Sequence, residues 1–324
     1  MNVTAQLLRP DSVDALRQAF AEAHAARRPV GTVDLAALSE VVAFSPEDMT
    51  VTVRAGITVA ALQAALAPAG QWLPLDPPRA DVLTVADLLH HDVSGPRRFA
   101  HGTVREHVLG LAFVTADGRL IRSGGHVVKN VAGYDLAKLV IGDGGSLGLI
   151  VEVTFKLSPR PAVERLFAWS SMSLDEAEAQ IEAVLAGPTE PVLIDLHNLG
   201  PHQLDVAHGA RAPWSVVLAF AGHADDVDWQ ASQLDEAWHP VEALEYEWRF
   251  WEGRSVTTTH RTSVLPSRVV AHIRTLPPCT VVARAGSGIV YTDLPSPAST
   301  RTPSPLERRL KATYDPHDIL PALR

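Results

Sequence analysis

The chain has 324 residues, of which 46% are hydrophobic and 20% charged, which is enough apolar material for two packed domains and too much for a disordered chain. A formal charge of −9 and only 6% aromatic residues argue against a general nucleic-acid binder or a protein that coats anionic membranes. The single cysteine, Cys279, excludes an internal disulfide and any cluster held by cysteines of this chain alone, and it fits a reducing cytoplasm.

The opening residues lack the basic and then apolar pattern of a secretory signal. No run approaches the roughly 18 uninterrupted apolar residues of a spanning helix, so a cytoplasmic protein is expected. Asp11 or Ser12 caps a first predicted helix whose apolar positions are Val13, Leu16, Phe20 and Ala23, and Arg28-Pro29 ends it. Residues 49–54 alternate as a strand, and a short alanine-rich helix runs from Val59 toward Pro68. Leu109–Thr115 and Arg119–Ser123 flank Ala116-Asp117-Gly118, a strong hairpin signal. A helix from Tyr134 to Ile141 stops at Gly142. The alternating strand Leu149–Ser158 then closes at Pro159-Arg160-Pro161, where a domain boundary is placed. Beyond it the pattern is a strand (Arg165–Ser170), a helix with a capping box at Ser173 and Glu176, strands near 192–197, 203–207 and 214–221, a helix over 225–238 and a strand over 241–246. This order predicts a ferredoxin-like split β-α-β layer. The Pro/Ser/Thr-rich stretch 295–305 reads as a loop before a helix over 306–313.

The glycine cluster Gly142-Asp143-Gly144-Gly145-Ser146-Leu147-Gly148 lets backbone approach a ligand and can present successive N–H groups to phosphate. Taken alone it is equally a helix cap followed by a tight turn. It is neither a Walker loop nor a Rossmann fingerprint, because it follows a helix and opens a strand. His90, His91, His101, His107 and His126 have no carboxylate at a recognised ligand spacing. They read as packing or surface residues, and no nucleophile motif accompanies them.

The stretch 127–161, VVKNVAGYDLAKLVIGDGGSLGLIVEVTFKLSPRP, closely resembles the glycolate oxidase GlcE family, which belongs to the vanillyl-alcohol-oxidase/PCMH type of FAD-binding proteins. AGQWLPLDPP (69–78), GPRR (95–98) and TVREHVLG (103–110) match in the same order, and RTSVLP (261–266) and YDPHDIL (314–320) match more weakly. The resemblance implies an α+β fold: a two-part FAD-binding domain over 1–162, an inserted ferredoxin-like cap over 163–275, and a C-terminal segment over 276–324 that returns to the first domain. It implies FAD as cofactor, held by Thr84, Ser94, Gly95, Gly102, Thr103, Gly148 and Ile150, with backbone groups at Gly148 and Ile150. Lys129, Asn130, Tyr134 and Asp135 shape the surroundings in either a structural or a functional role. It also implies a complex oxidising glycolate to glyoxylate, with a D-like flavin subunit and an F-like iron–sulfur subunit as partners. No catalytic residue and no metal site is assigned to this chain.

Three places depart from the family pattern. The Gly/Ser-rich pyrophosphate loop expected after the first helix is mostly missing from Arg28-Pro29-Val30-Gly31-Thr32. Ala86-Asp87 stands where a Gly-Gly pair is expected, and LPALR replaces an Asn-Pro-Gly-Arg ending. An anion without N–H donors, or beside an aspartate, is unfavourable. The sequence therefore carries two functional expectations. One is an FAD-bearing subunit of a 2-hydroxy-acid oxidising complex; the other is a structural or docking subunit of the same fold that has lost the cofactor.

Overall fold

The computed structural model describes residues 7–125, 136–199, 214–295 and 302–323. The chain divides into two compact units, one comprising Met1–Val93, Thr103–Arg160 and Ser299–Arg324, the other Ser94–Gly102 and Pro161–Ala298.

In the first unit, Ser12 caps α1 (Val13–Ala25) by accepting from Ala15 N, and Leu16 and Phe20 form its buried stripe. Then come β1 (Val41–Ser45), β2 (Thr50–Arg54), α2 (Val59–Leu66) and β3 (Gln71–Trp72). α3 (Val85–His90) follows. α4 (Arg98–His101) belongs to the second unit, and α5 (Val104–His107) resumes the first. β4 (Val108–Val114) and β5 (Leu120–Gly124) are the predicted hairpin, turning at Gly118 with φ 79°. α6 (Ala137–Val140) is the described end of the helix expected from Tyr134, and β6 (Leu149–Lys156) and β7 (Ser158–Pro159) complete this part.

The five-stranded sheet has the order β1-β2-β6-β4-β5, with every neighbour antiparallel. β6 is central, which changes the meaning of its alternation. Glu152 pairs with Arg54 and Arg122, and the Thr154 hydroxyl bonds that of Thr52 at 2.9 Å, so the polar face is engaged with its neighbours rather than with open solvent. β1 has no sequence signal because VVAF is an apolar run without alternation. It forms the sheet edge and leaves Val41 and Val42 exposed.

The second unit begins with β8 (Val163–Ser171), α7 (Leu174–Ala186), β9 (Leu193–His197), β10 (Trp214–Gly222), α8 (Ala224–Ser232) and β11 (His239–Val241). These strands stand in the order β11-β8-β10-β9, the antiparallel arrangement of a ferredoxin-like layer. The strand expected over 203–207 lies outside the described residues. The strand expected over 241–246 ends at Val241, and α9 (Glu245–Trp251) takes over, because Tyr246, Phe250 and Trp251 at helical spacing bury against one face of the sheet. β12 (His260–Ser263), α10 (Val269–Thr275), β13 (Val281–Arg284) and β14 (Ile289–Thr292) extend this sheet to seven strands, in the order β11-β8-β10-β9-β13-β14-β12. Residues 281–292, expected in a segment returning to the first domain, therefore pair inside the second unit; β13 takes the free edge of β9. The other face of the sheet packs on α7, α8 and α10 through Ile181, Val227 and Ile273.

The last helix, α11 (Pro305–Tyr314), belongs to the first unit and opens with a capping box between Ser304 and Glu307. No described helix is long and apolar enough to cross a membrane.

Candidate functional site

Thr84 is the N-cap of α3. Its Oγ1 accepts from Asp87 N at 3.1 Å and donates to Asp87 Oδ2 at 2.7 Å. The next amides are equally engaged: Val85 N donates to Ile57 O, Ala86 N to Ala55 O and Leu88 N to Thr84 O. A helix N-terminus attracts an anion through unpaired amides. Here the whole first turn donates internally, and a carboxylate stands beside it.

The glycine loop is closed in the same way. Gly142, Gly144 and Gly145 take φ of 84°, 65° and 78°, the left-handed region that glycine alone adopts without strain. In that conformation Gly142 N reaches Leu89 O, and Gly144 N reaches His90 O. The Asp143 carboxylate accepts from Gly145 N at 2.8 Å and from Leu147 N at 2.9 Å, occupying the anion position of the loop with the chain's own charge. His90 seals the arrangement. Its Nε2 accepts from Ile150 N at 3.2 Å, so its proton sits on Nδ1 and is donated to Asp143 Oδ1 at 2.8 Å. The two side chains are 6% and 4% exposed. His90 ends a helix rather than lying in a strand as its pairing with His91 implied, and it has a packing role.

The remaining expected contacts fall as follows. Ile150 is fully buried, and its N–H serves His90. At Gly148 a Cβ would lie 2.6 Å from Phe113 Cδ2, so close packing of β6 on β4 already requires the glycine. Thr103 caps α5 in a reciprocal box with Glu106. In the second unit, the buried Ser94 hydroxyl accepts from Arg98 Nη1 at 2.9 Å, the Gly95 carbonyl accepts from Arg98 N, and Gly102 ends α4 at φ 80°. Lys129, Asn130, Tyr134, Asp135 and His126 lie outside the described residues. Among the described residues, no group of three or more His, Cys, Asp or Glu could hold a metal ion.

Sequence reasoning missed the tail as a clamp. Lys311 is 8% exposed, and its Nζ donates to Ser146 O, Asp315 Oδ2, Leu320 O and Pro321 O at 2.7–3.2 Å. Asp315 in turn accepts from Ile319 N and Leu320 N, and Ile319 O receives Val30 N at 2.7 Å. One buried ammonium thus ties the tail to the glycine loop, and the tail holds the segment after α1. In that segment Asp34 N also donates internally, to Leu8 O.

The second unit buries a separate ionic network. Arg284, 1% exposed, donates to Asp195 and to both oxygens of Glu247, and Tyr246 OH donates to Asp195 Oδ2 at 2.6 Å. Burial raises the Asp195 carboxyl above the ordinary carboxylate range, Glu247 adding to the effect and Arg284 opposing it. One guanidinium faces two acids, so the acid that is wholly buried holds its proton more tightly. Burial, with Asp195 beside it, pushes the Tyr246 phenol well up.

An antiparallel sheet with an early helix, a glycine turn at its central strand and an inserted ferredoxin-like layer define a PCMH-type two-part flavoprotein fold. The family model described as "FAD binding domain" matches residues 23–124, and FAD is the cofactor of that family. Within the class, the chain is related to glycolate oxidase subunits: it is 39% identical over 157 residues to "Glycolate oxidase subunit GlcE" of Escherichia coli, a match covering 48% of this chain and 45% of that protein. It is 29% identical over 158 residues to "Glycolate oxidase subunit GlcD" of Bacillus subtilis, covering 49% of this chain and 34% of that one. The matches thus span less than half the length of either relative. A solved structure of alkyldihydroxyacetonephosphate synthase aligns over 97% of this chain and 76% of its own, with TM-score 0.70 and 15% identity, a likeness of fold alone.

A dinucleotide pyrophosphate needs unengaged N–H donors and no neighbouring carboxylate. At α3 and in the glycine loop the amides named above are occupied, and Asp87 and Asp143 stand among them. These described segments do not fit the group.

Proposed function

We propose that this chain is a subunit of a glycolate-oxidising, 2-hydroxy-acid dehydrogenase complex in which it serves as a scaffold and docking subunit without a flavin of its own. Substrate oxidation and electron transfer then belong to a D-like flavin subunit and an F-like iron–sulfur subunit. The likeness to glycolate oxidase subunits supports the complex. The observation that carries the scaffold role is the Asp143 carboxylate seated on Gly145 N and Leu147 N, with His90 behind it. An internal carboxylate held by three donors at high effective concentration excludes an external anion from the same amides.

The second reading, a flavin-bearing subunit of the same complex, is favoured by the family match over residues 23–124. Visible absorbance of the purified chain and titration with FAD separate the two, first alone and then with the D-like and F-like subunits added. The scaffold reading expects a colourless chain, no saturable FAD binding, and no flavin in the complex beyond that of the D-like subunit. Stoichiometric FAD on this chain in either state refutes it.

A further inference from the structure

We propose that the groove between α7 and α8 in the second unit is a docking site for a Lys- or Arg-bearing protein segment with a large apolar anchor, carried by another subunit; this rests on the reading of the chain as part of a complex. The groove encloses about 790 Å³, and its walls include Leu185 at the end of α7, Pro188 and Pro191 in the following loop, and Trp229 on α8. Leu185 and Trp229 are 48% and 50% exposed. A single exposed apolar residue is ordinary, but a tryptophan and a leucine facing one concave space between two prolines form a patch of the kind that partners cover.

The groove is also held in shape before anything enters it. Glu190 N donates to Gln230 Oε1 at 2.7 Å, fastening the proline loop to α8, and Val192 N donates to Ala219 O at 2.7 Å, fastening the same loop to β10. A preformed groove loses little freedom on binding. Charge selects the occupant. Among the described residues, Glu190 and Asp226 are the charged ones lining it, and no lysine or arginine lines it. Arg165, on the strand beside α8, is already paired with Asp228 at 2.5 Å. An apolar anchor flanked by basic side chains satisfies both the walls and the rim.

The test measures affinity of the full chain for the purified D-like and F-like subunits, separately and together. Trp229→Ser with Leu185→Ser removes the walls; Glu190→Lys with Asp226→Lys reverses the rim; Trp248→Ser removes a tryptophan 69% exposed outside the groove and serves as the control. Melting temperatures confirm that all variants fold. The proposal expects the wall variant to weaken binding about thirtyfold or more, the rim variant to weaken it with a flatter salt dependence, and the control to match wild type. Assembly by wild type with unchanged affinity in both groove variants overturns the docking site and leaves the subunit reading standing. A wild-type chain that binds neither subunit overturns both. Self-association that only the groove variants release assigns the groove to a second copy and overturns the proposal of a basic partner.

Discussion

Asp143→Ala tests the claim that the glycine loop is closed around its own carboxylate. The substitution removes the acceptor of the His90 ring, Gly145 N and Leu147 N. His90 and Leu147 are buried, so each is left with a donor that water reaches poorly, at about 1–3 kcal/mol apiece. Gly145 is half-exposed and regains a water, so it adds less. The expected loss is about 3–4 kcal/mol of unfolding free energy, and Asp143→Asn, which keeps one carbonyl oxygen, loses about half of that. Denaturant titration gives both values from the shift in midpoint at constant slope. An alanine variant within about 1 kcal/mol of wild type refutes the reasoning, because the carboxylate would then not be what satisfies these donors. The same variant bears on the scaffold reading: with the internal anion gone and the fold retained, inorganic pyrophosphate should bind measurably where wild type binds none.

Two further outcomes follow from the buried charges. Lys311→Met leaves the buried Asp315 carboxylate without its cation, and stability should fall by about 3–5 kcal/mol, with the tail cut by protease sooner than in wild type; unchanged resistance and midpoint refute the clamp. Asp195 has a folded-state value raised by burial, so the folded protein binds that proton more tightly than the unfolded chain. Its stabilising contribution is complete below the unfolded carboxylate value and is lost as pH rises through the folded one. Wild type should therefore lose stability relative to Asp195→Asn as pH climbs from acid toward neutral, and parallel profiles of unfolding free energy against pH refute this.

The parts of the fold legible in the sequence are those where a local signal and the tertiary structure agree. Ser12 and Ser173 announce helices that they do cap, Ala116-Asp117-Gly118 announces a turn, and the order of elements from β8 to α8 announces the ferredoxin-like layer. What is illegible depends on distant partners. α3 is only six residues long and is held by its cap and by the amides it sends to Ala55 and Ile57. α9 carries aromatic residues that suit a strand equally well, and only the sheet face waiting for Tyr246 and Phe250 decides for helix. At the candidate site, Asp87 and the shortened loop after α1 are readable as obstacles to phosphate. The link from His90 to Asp143 spans 53 residues, and no spacing rule exposes it. Lys311 sits in the polar run ERRLKATY, where nothing local distinguishes the one lysine that becomes buried.

The clamp has a consequence for synthesis. Lys311 and the Ser146 carbonyl that it holds are 165 residues apart, and nearly the whole second unit is made between them. As the chain leaves the ribosome, the inserted layer can fold as a block while the glycine turn still waits for its cation. The first unit is therefore finished last although it is started first, and a nascent chain halted before residue 311 exposes an incomplete platform beside a complete insert.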